Sequence, residues 1–145
     1  LYEDALNSQE WNIESDSMKV VLGHECQKAT CSFRGRKWTA WFALDVPVSD
    51  GPLKFCGLPG LIMEVYDRGK QYYFCINGMQ QVSATPITFG ILDKDFKHFQ
   101  KTDRKDFLLS KYRYLRNQNS INEASTGISL GCVDEALKYD LIEKE

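Results

Sequence analysis

Histidine is almost missing from this chain. Only His24 and His98 occur in 145 residues, so a His-based catalytic relay or a His-rich metal site has little to draw on. No CxxC pair exists among the five cysteines, which removes the thioredoxin-type redox motif and the zinc ribbon. Lys and Arg together number 18 against 20 acidic residues, for a net charge of −2. Both signs are mixed along the chain, and no basic stripe marks a nucleic-acid partner. No apolar run approaches the ~20 residues of a transmembrane helix. Proline occurs only four times, and three of the four, Pro47, Pro52 and Pro59, fall in one short stretch.

What is present is aromatic. Phe, Tyr and Trp make up 12% of the sequence, and rings of this kind favour sheets. The length suits one domain with a sizeable core. Residues 1–8 carry no pattern and are expected to fray. Trp11 and Ile13 alternate with polar neighbours, giving a short strand near 9–15. Asp16-Ser17 reads as a turn. Met18, Val20 and Leu22 alternate in the next strand, and Gly23-His24 reads as a bend or bulge rather than a reversal.

The clearest hairpin joins residues 25–33 to 36–44 through Arg34-Gly35, an X-Gly pair suited to a two-residue turn. Its register sets Phe33 opposite Arg36, Cys31 opposite Trp38, Ala29 opposite Ala40 and Gln27 opposite Phe42. Ala29, Cys31, Phe33, Trp38, Ala40 and Phe42 then share an apolar face. Lys28, Thr30, Ser32, Lys37, Thr39 and Trp41 share the other. Cys26 and Cys31 fall on opposite faces, so a disulfide between them needs a bulge. The pairing of Cys26, Cys31, Cys56, Cys75 and Cys132 stays open.

Residues 45–60 hold too much Pro and Gly for regular pairing, and Pro59-Gly60 suits the centre of a type II turn. Yet Val46, Val48, Leu53, Phe55 and Leu58 make the stretch apolar. It is expected to fold back over an end of the sheet as a plug, with Leu58 inserted. Gly57, Pro59 and Gly60 are its structural residues. Residues 61–67 read as a strand with both faces largely apolar. Arg68-Gly69 reads as a second tight turn, before a long strand over 71–83 interrupted near Asn77-Gly78.

After Leu92 the apolar period lengthens to that of a helix. Leu92, Phe96 and Phe99 form one set, and Leu108, Tyr112 and Leu115 a second, with Thr102 as the expected cap. Residues 117–131 read as a polar, mobile loop, and Tyr139, Leu141 and Ile142 as terminal anchors. The fold class is α+β and β-rich: a curved antiparallel sheet with one or two covering C-terminal helices.

Several chemistries can be weighed on these residues. His24 and Cys26 point the same way on a flat strand but stand too far apart for a hydrogen bond. No serine elbow occurs, and Asp45, Asp50, Glu64 and Asp67 show no pairing signature. The expectation is therefore that the chain is not an enzyme and needs no cofactor. His24, Cys26, Cys31, Cys56 and Met63 supply soft ligands suited to copper or zinc, but their spacing matches no structural site, and Cys31, if buried on the sheet face, cannot readily join Cys26. Trp41, Leu58, Met63, Tyr66 and Tyr72 are candidates to line a pocket for an apolar small molecule, lipid or peptide. They would serve equally well as filling beneath a helix. Arg34 and Arg36, flanking the hairpin tip, could contact an anionic partner.

Gly57-Leu58-Pro59-Gly60-Leu61-Ile62 resembles the motif that names the GLPGLI family. Cys26 through Thr30, Phe33 through Arg36, Trp38 through Phe42, Pro47 and Gly51-Pro52 resemble the family's central block in its usual order, and Tyr139 through Glu143 its tail. Cys56 is a variation at its position. The resemblance is strongest over 23–67. It implies a protein exported to the periplasm or cell envelope of a Gram-negative bacterium, with a signal peptide in the precursor, and makes a disulfide more plausible. Family members carry more chain before the Trp11 region, so the N-terminal strands are expected to be incomplete here. The resemblance supplies no activity. The expected sheet is similar in plan to the half-barrels of lipoprotein carriers, a likeness of fold alone. Two binding functions follow as expectations: a module for an apolar ligand, lipid or peptide, or an interaction module of an envelope or outer-membrane transport complex. Soft-metal binding is a third.

Overall fold

A computed structural model describes residues 2, 9–83, 100–128 and 142–143. The chain divides into two compact units, one built on Ala5–Ala84 with Ile142–Glu145, the other on Thr85–Leu141 with Leu1–Asp4. The fold is α+β and β-rich: an open antiparallel sheet in the first unit and, among the described residues of the second, two helices.

Five strands run in sequence order across the sheet: β1 Asn12–Val21, β2 His24–Phe33, β3 Arg36–Ala43, β4 Leu61–Asp67 and β5 Tyr73–Cys75. All neighbours are antiparallel, and the sheet stays open rather than closing into a barrel. The β2–β3 register pairs Phe33 with Arg36, Cys31 with Trp38, Ala29 with Ala40 and Gln27 with Phe42, as the alternation of the two strands requires. Arg34 takes a left-handed φ of 51° at the turn, and the Trp38 indole nitrogen donates to the Phe33 carbonyl at 3.0 Å, tying the hairpin across its tip.

Within the sheet unit, local expectations fail at four places. Residues 12–21 form one strand, not two, because Asp16-Ser17 lies in an irregularity of β1 where the register slips between Glu14 and Met18. The reversal into β2 is at Leu22-Gly23, with φ of 49° and 83°. The β4–β5 connection takes five residues rather than two. Lys70 donates to the Asp67 carbonyl, and the Asp67 carboxylate accepts from the Tyr72 amide at 2.9 Å. β5 itself spans only Tyr73–Cys75, so most of 71–83 lies outside the sheet.

Side-chain alternation sorts two clusters onto the two faces. One holds Ala29, Cys31, Trp38, Ala40, Phe42, Ile62 and Val65 from the strands, with Phe55 and Leu58 from the loop between β3 and β4. Trp11, Phe33, Tyr72, Phe74 and Ile142 pack against it. The other is smaller: Val21, Cys26, Ala43 and Met63. A register shift between Trp41 and Phe42 in the β3–β4 pairing leaves Met63 as the extra residue of β4. This explains why adjacent Ile62 and Met63 are both buried.

In the helical unit, α1 spans Arg104–Arg116 and α2 spans Gln118–Thr126. Asp103, not Thr102, is the cap of α1: its carboxylate accepts from the Asp106 amide at 2.9 Å. Phe107, Leu108, Tyr112 and Leu115 are its half-buried apolar residues, and the Tyr2 ring lies 4.8 Å from that of Phe107. The polar stretch expected as a loop is helix over 118–126, ended by left-handed Gly127. The helix set Leu92, Phe96 and Phe99, and the anchors Tyr139 and Leu141, lie outside the described residues.

Candidate functional site

The loop between β3 and β4 is fixed at both ends by backbone bonds. The Leu61 amide donates to the Val46 carbonyl and the Ile62 amide to the Asp50 carbonyl, each at 2.9 Å. Its middle turns inward. Leu58 is 1% exposed and Phe55 3%. The Phe55 ring sits 4.7 Å edge-on to Trp38, 5.8 Å from Phe33 and 6.2 Å from Trp11. Gln9, which carries no sequence signal, and Trp11, expected only as a strand residue, hold it there. The Gln9 amide donates to the Lys54 carbonyl at 3.1 Å and accepts from the Cys56 amide at 2.9 Å. The Trp11 indole donates to the Cys56 carbonyl at 2.8 Å. Gln9 thus acts like one more strand residue paired to the loop. A lone Gln before a strand carries no such signal.

The two glycines of Gly57–Ile62 do different work. Gly57 takes a φ of 91°, which side chains rarely adopt. Gly60 lies outside the left-handed region, so the expected type II turn over Pro59-Gly60 is not formed. Its role is close approach: a Cβ there would stand 2.0 Å from the Ala43 carbonyl oxygen.

Against this plug lies a cavity of about 280 Å³. Phe33, Trp38, Leu53, Phe55 and Ile142 give it apolar walls, and Arg34, Lys54 and Glu143 stand at its rim. Lys54 Nζ is 2.8 Å from Glu143. Leu53 is 62% exposed and held at a φ of 58°. A leucine left in water in a backbone region that costs it energy is a feature the core does not need.

The five residues expected to line one pocket do not meet. Leu58 and Tyr72 lie on the plug side of the sheet. Trp41 and Met63 pack on the other, with Tyr66, which pairs with Thr39 and sits 3.5 Å from the Trp41 indole nitrogen. Parity already separates Trp41 from Trp38.

Arg36 is not an exposed contact residue. It is 7% exposed, donates to Asp67 and Gln71 at 3.1 Å each and to the Ile142 carbonyl at 3.1 Å, and lies 4.8 Å over the Tyr72 ring. Asp67, its partner, is 4% exposed. The register shows why: Arg36 opposes Phe33 and so falls on the apolar face. Arg34, half-buried, sits 5.3 Å over Phe33.

His24 and Cys26 also diverge. His24 Nδ1 lies 2.6 Å from Asp45 Oδ2. The Cys26 thiol is fully buried, donates to the His24 carbonyl at 3.5 Å, and has its pKa raised by that burial. Burial pushes the Cys31 thiol up to about 12, so neither offers a ready thiolate. Cys26, Cys31, Cys56 and Cys75 are unbridged. Among the described residues, no three His, Cys, Asp or Glu side chains gather as a metal-ligand set. Among the same residues, no helix is long and apolar enough to cross a membrane.

A family described as "Protein of unknown function (Porph_ging)" matches residues 32–64, the segment from the end of β2 through the plug loop into β4. No curated protein matches the chain. Among solved structures, one of PNGF-II is similar, with a TM-score of 0.37 and 19% identity, over 68% of this chain and 17% of that one.

Proposed function

We propose that this chain is a cell-envelope protein of the GLPGLI type, and that its sheet unit is a non-catalytic binding module for an apolar group. The family match of residues 32–64 contains Gly57–Ile62 and supports the family reading. The observation that carries the binding reading is the cavity of about 280 Å³ beside the plug, with Phe33, Trp38, Leu53, Phe55 and Ile142 as walls. It lies just below the usual size of small-molecule pockets, and suits an aliphatic side chain of a peptide or a segment of an acyl chain. Leu53 stands at its mouth, exposed and strained. An occupant would remove that leucine from water and gain roughly 25 cal/mol per Å² of apolar surface covered.

Native mass spectrometry of the intact protein with dodecanoate, and separately with a Leu-rich hexapeptide, tests the reading. One of the two is expected to give a one-to-one complex that Leu53→Glu weakens at least tenfold. Absence of both complexes at millimolar ligand would sink it. Acyl-only or peptide-only binding identifies the source of the apolar group. Cell fractionation of the full-length protein tests the envelope placement, and recovery in the cytoplasmic fraction would reject it.

A further inference from the structure

The other face of the sheet is built to a different pattern. One row of paired residues crosses all five strands: Asn12, Thr30, Thr39, Tyr66 and Tyr73. The next row on that face is Glu14, Lys28, Trp41, Glu64 and Cys75. On the opposite flank of the hydroxyl row, Ser32 pairs with Lys37, and the Lys37 carbonyl accepts from the Arg68 amide at 2.9 Å. A groove of about 740 Å³ runs over these residues, and Thr30, Ser32, Lys37, Thr39, Tyr66 and Arg68 line it.

Three features set this groove apart from an ordinary wet sheet face. Hydroxyl groups form its floor and can both donate and accept. Its edge carries a stacked pair of tyrosines, Tyr66 and Tyr73, with ring centres 6.0 Å apart and planes at 23°. Tyr73 is 53% exposed, and the Lys70 ammonium lies 5.4 Å over the Tyr66 ring.

The third feature is charge. Elsewhere on that face the cations are neutralised: Lys28 by Glu14 at 2.8 Å within the next row, and Lys19, which pairs with Cys26, by Glu64. Lys37 and Arg68 are exposed, and among the described residues neither has a carboxylate partner. The groove's own carboxylate, Glu10, precedes β1. The β1 side lies two strand spacings, roughly 10 Å, from β3 and Lys37. The β3–β4 side of the groove is therefore locally positive on a chain of net charge −2.

We propose that this groove binds an acidic saccharide, with a sugar carboxylate or sulfate against Lys37 and Arg68. The sugar hydroxyls meet Asn12, Thr30, Ser32 and Thr39, and a ring's C–H face lies on Tyr66. The hydroxyl floor argues against an apolar ligand. Lys37 and Arg68, with Lys70 at the edge, are too few cations for a nucleic acid on a chain of net charge −2. The cations and hydroxyls of this site lie apart from Leu53 and Phe55 of the apolar cavity, although Trp38 borders both, and neither reading depends on the other.

The test is calorimetric titration of the intact protein with tetragalacturonate, against cellotetraose and inorganic sulfate as controls. Tetragalacturonate is expected to bind, and raising salt is expected to weaken it, because exposed charges are screened. Lys37→Glu with Arg68→Glu is expected to lower affinity at least tenfold, and Tyr66→Ala severalfold, while Leu53→Glu leaves it unchanged. Both reversed side chains are exposed, so that variant keeps its fold. Equal binding of cellotetraose, equal binding of sulfate alone, an unaffected double variant, or no heat with tetragalacturonate would each overturn the proposal.

Discussion

The same β2 and β3 residues, taken alternately, build two faces with opposite fates. On one, Ala29, Cys31, Trp38, Ala40 and Phe42 lie beneath Phe55 and Leu58. On the other, Thr30, Lys28, Thr39 and Lys37 remain half-buried or exposed. Alternation in the strands sets up the difference. The loop completes it: it brings Phe55 and Leu58 to the apolar face, and Gln9 and Trp11 hold its backbone there. An antiparallel sheet can leave one side in water, and here that freedom leaves room for a polar groove. Arg36–Asp67 is buried on the first face, while Lys28–Glu14 on the second is partly open to water, so the contrast can be put to measurement.

The largest expected effect comes from unsealing the plugged face. Leu58→Asp exchanges a side chain at 1% exposure for an unpaired carboxylate. The loss of apolar burial and the cost of the charge together should reach on the order of 4 kcal/mol or more. Chemical denaturation reads this directly. A midpoint close to wild type would mean that the loop detaches at little cost, and the two faces would then be equivalent.

Next is the buried pair. Arg36→Met leaves Asp67 at 4% exposure with its cation gone, and removing one partner of such a pair costs about 3–5 kcal/mol. Arg36→Met with Asp67→Asn should recover part of the loss, since the stranded charge is then absent. No recovery in the double variant would show that Arg36 acts through its bonds to Gln71 and the Ile142 carbonyl instead.

Gly60→Ala tests the hinge of the plug. The new methyl would overlap the Ala43 carbonyl oxygen, and relief requires a backbone shift that costs about 1–3 kcal/mol. The substitution should leave the β2–β3 hairpin intact while raising amide exchange at Leu61 and Ile62. Unchanged exchange there would mean that the loop absorbs the methyl without moving.

How far these features were legible in the sequence depends on how local their causes are. The β2–β3 register and the bounds of β4 follow from alternation and from one X-Gly turn, both readable within about ten residues. The inward loop was legible from apolar residues placed among prolines and glycines. Its charge points Arg36 toward solvent, but its parity puts it on the face of Trp38, and the register decides. Asp16-Ser17 could be told from a turn only by the pairing of both flanking segments with β2. Leu22 at a left-handed φ, and α2 with its Asn and Ser residues, run against propensity. The pocket residues were grouped by type, and type does not say which side of a sheet a residue faces. Trp41 and Tyr66 were thus joined to Leu58 and Tyr72 across the strands.

The smallest effect is expected on the open face. Lys28 and Glu14 form an ion pair at 2.8 Å between β1 and β2, and the hydrogen bond to Glu14 raises the Lys28 pKa. Solvent reaches both groups, 29% and 35% exposed, and holding two long side chains together costs entropy, so a partly exposed pair of this kind contributes little. Lys28→Ala should therefore move the denaturation midpoint less than any change above, and half-molar salt should erase the difference from wild type. Arg36→Met should stay destabilising in the same salt, because a buried pair is poorly screened. If salt affected both variants alike, the contrast between a sealed and a wet face would fail at its electrostatic root, whatever the loop variants had shown.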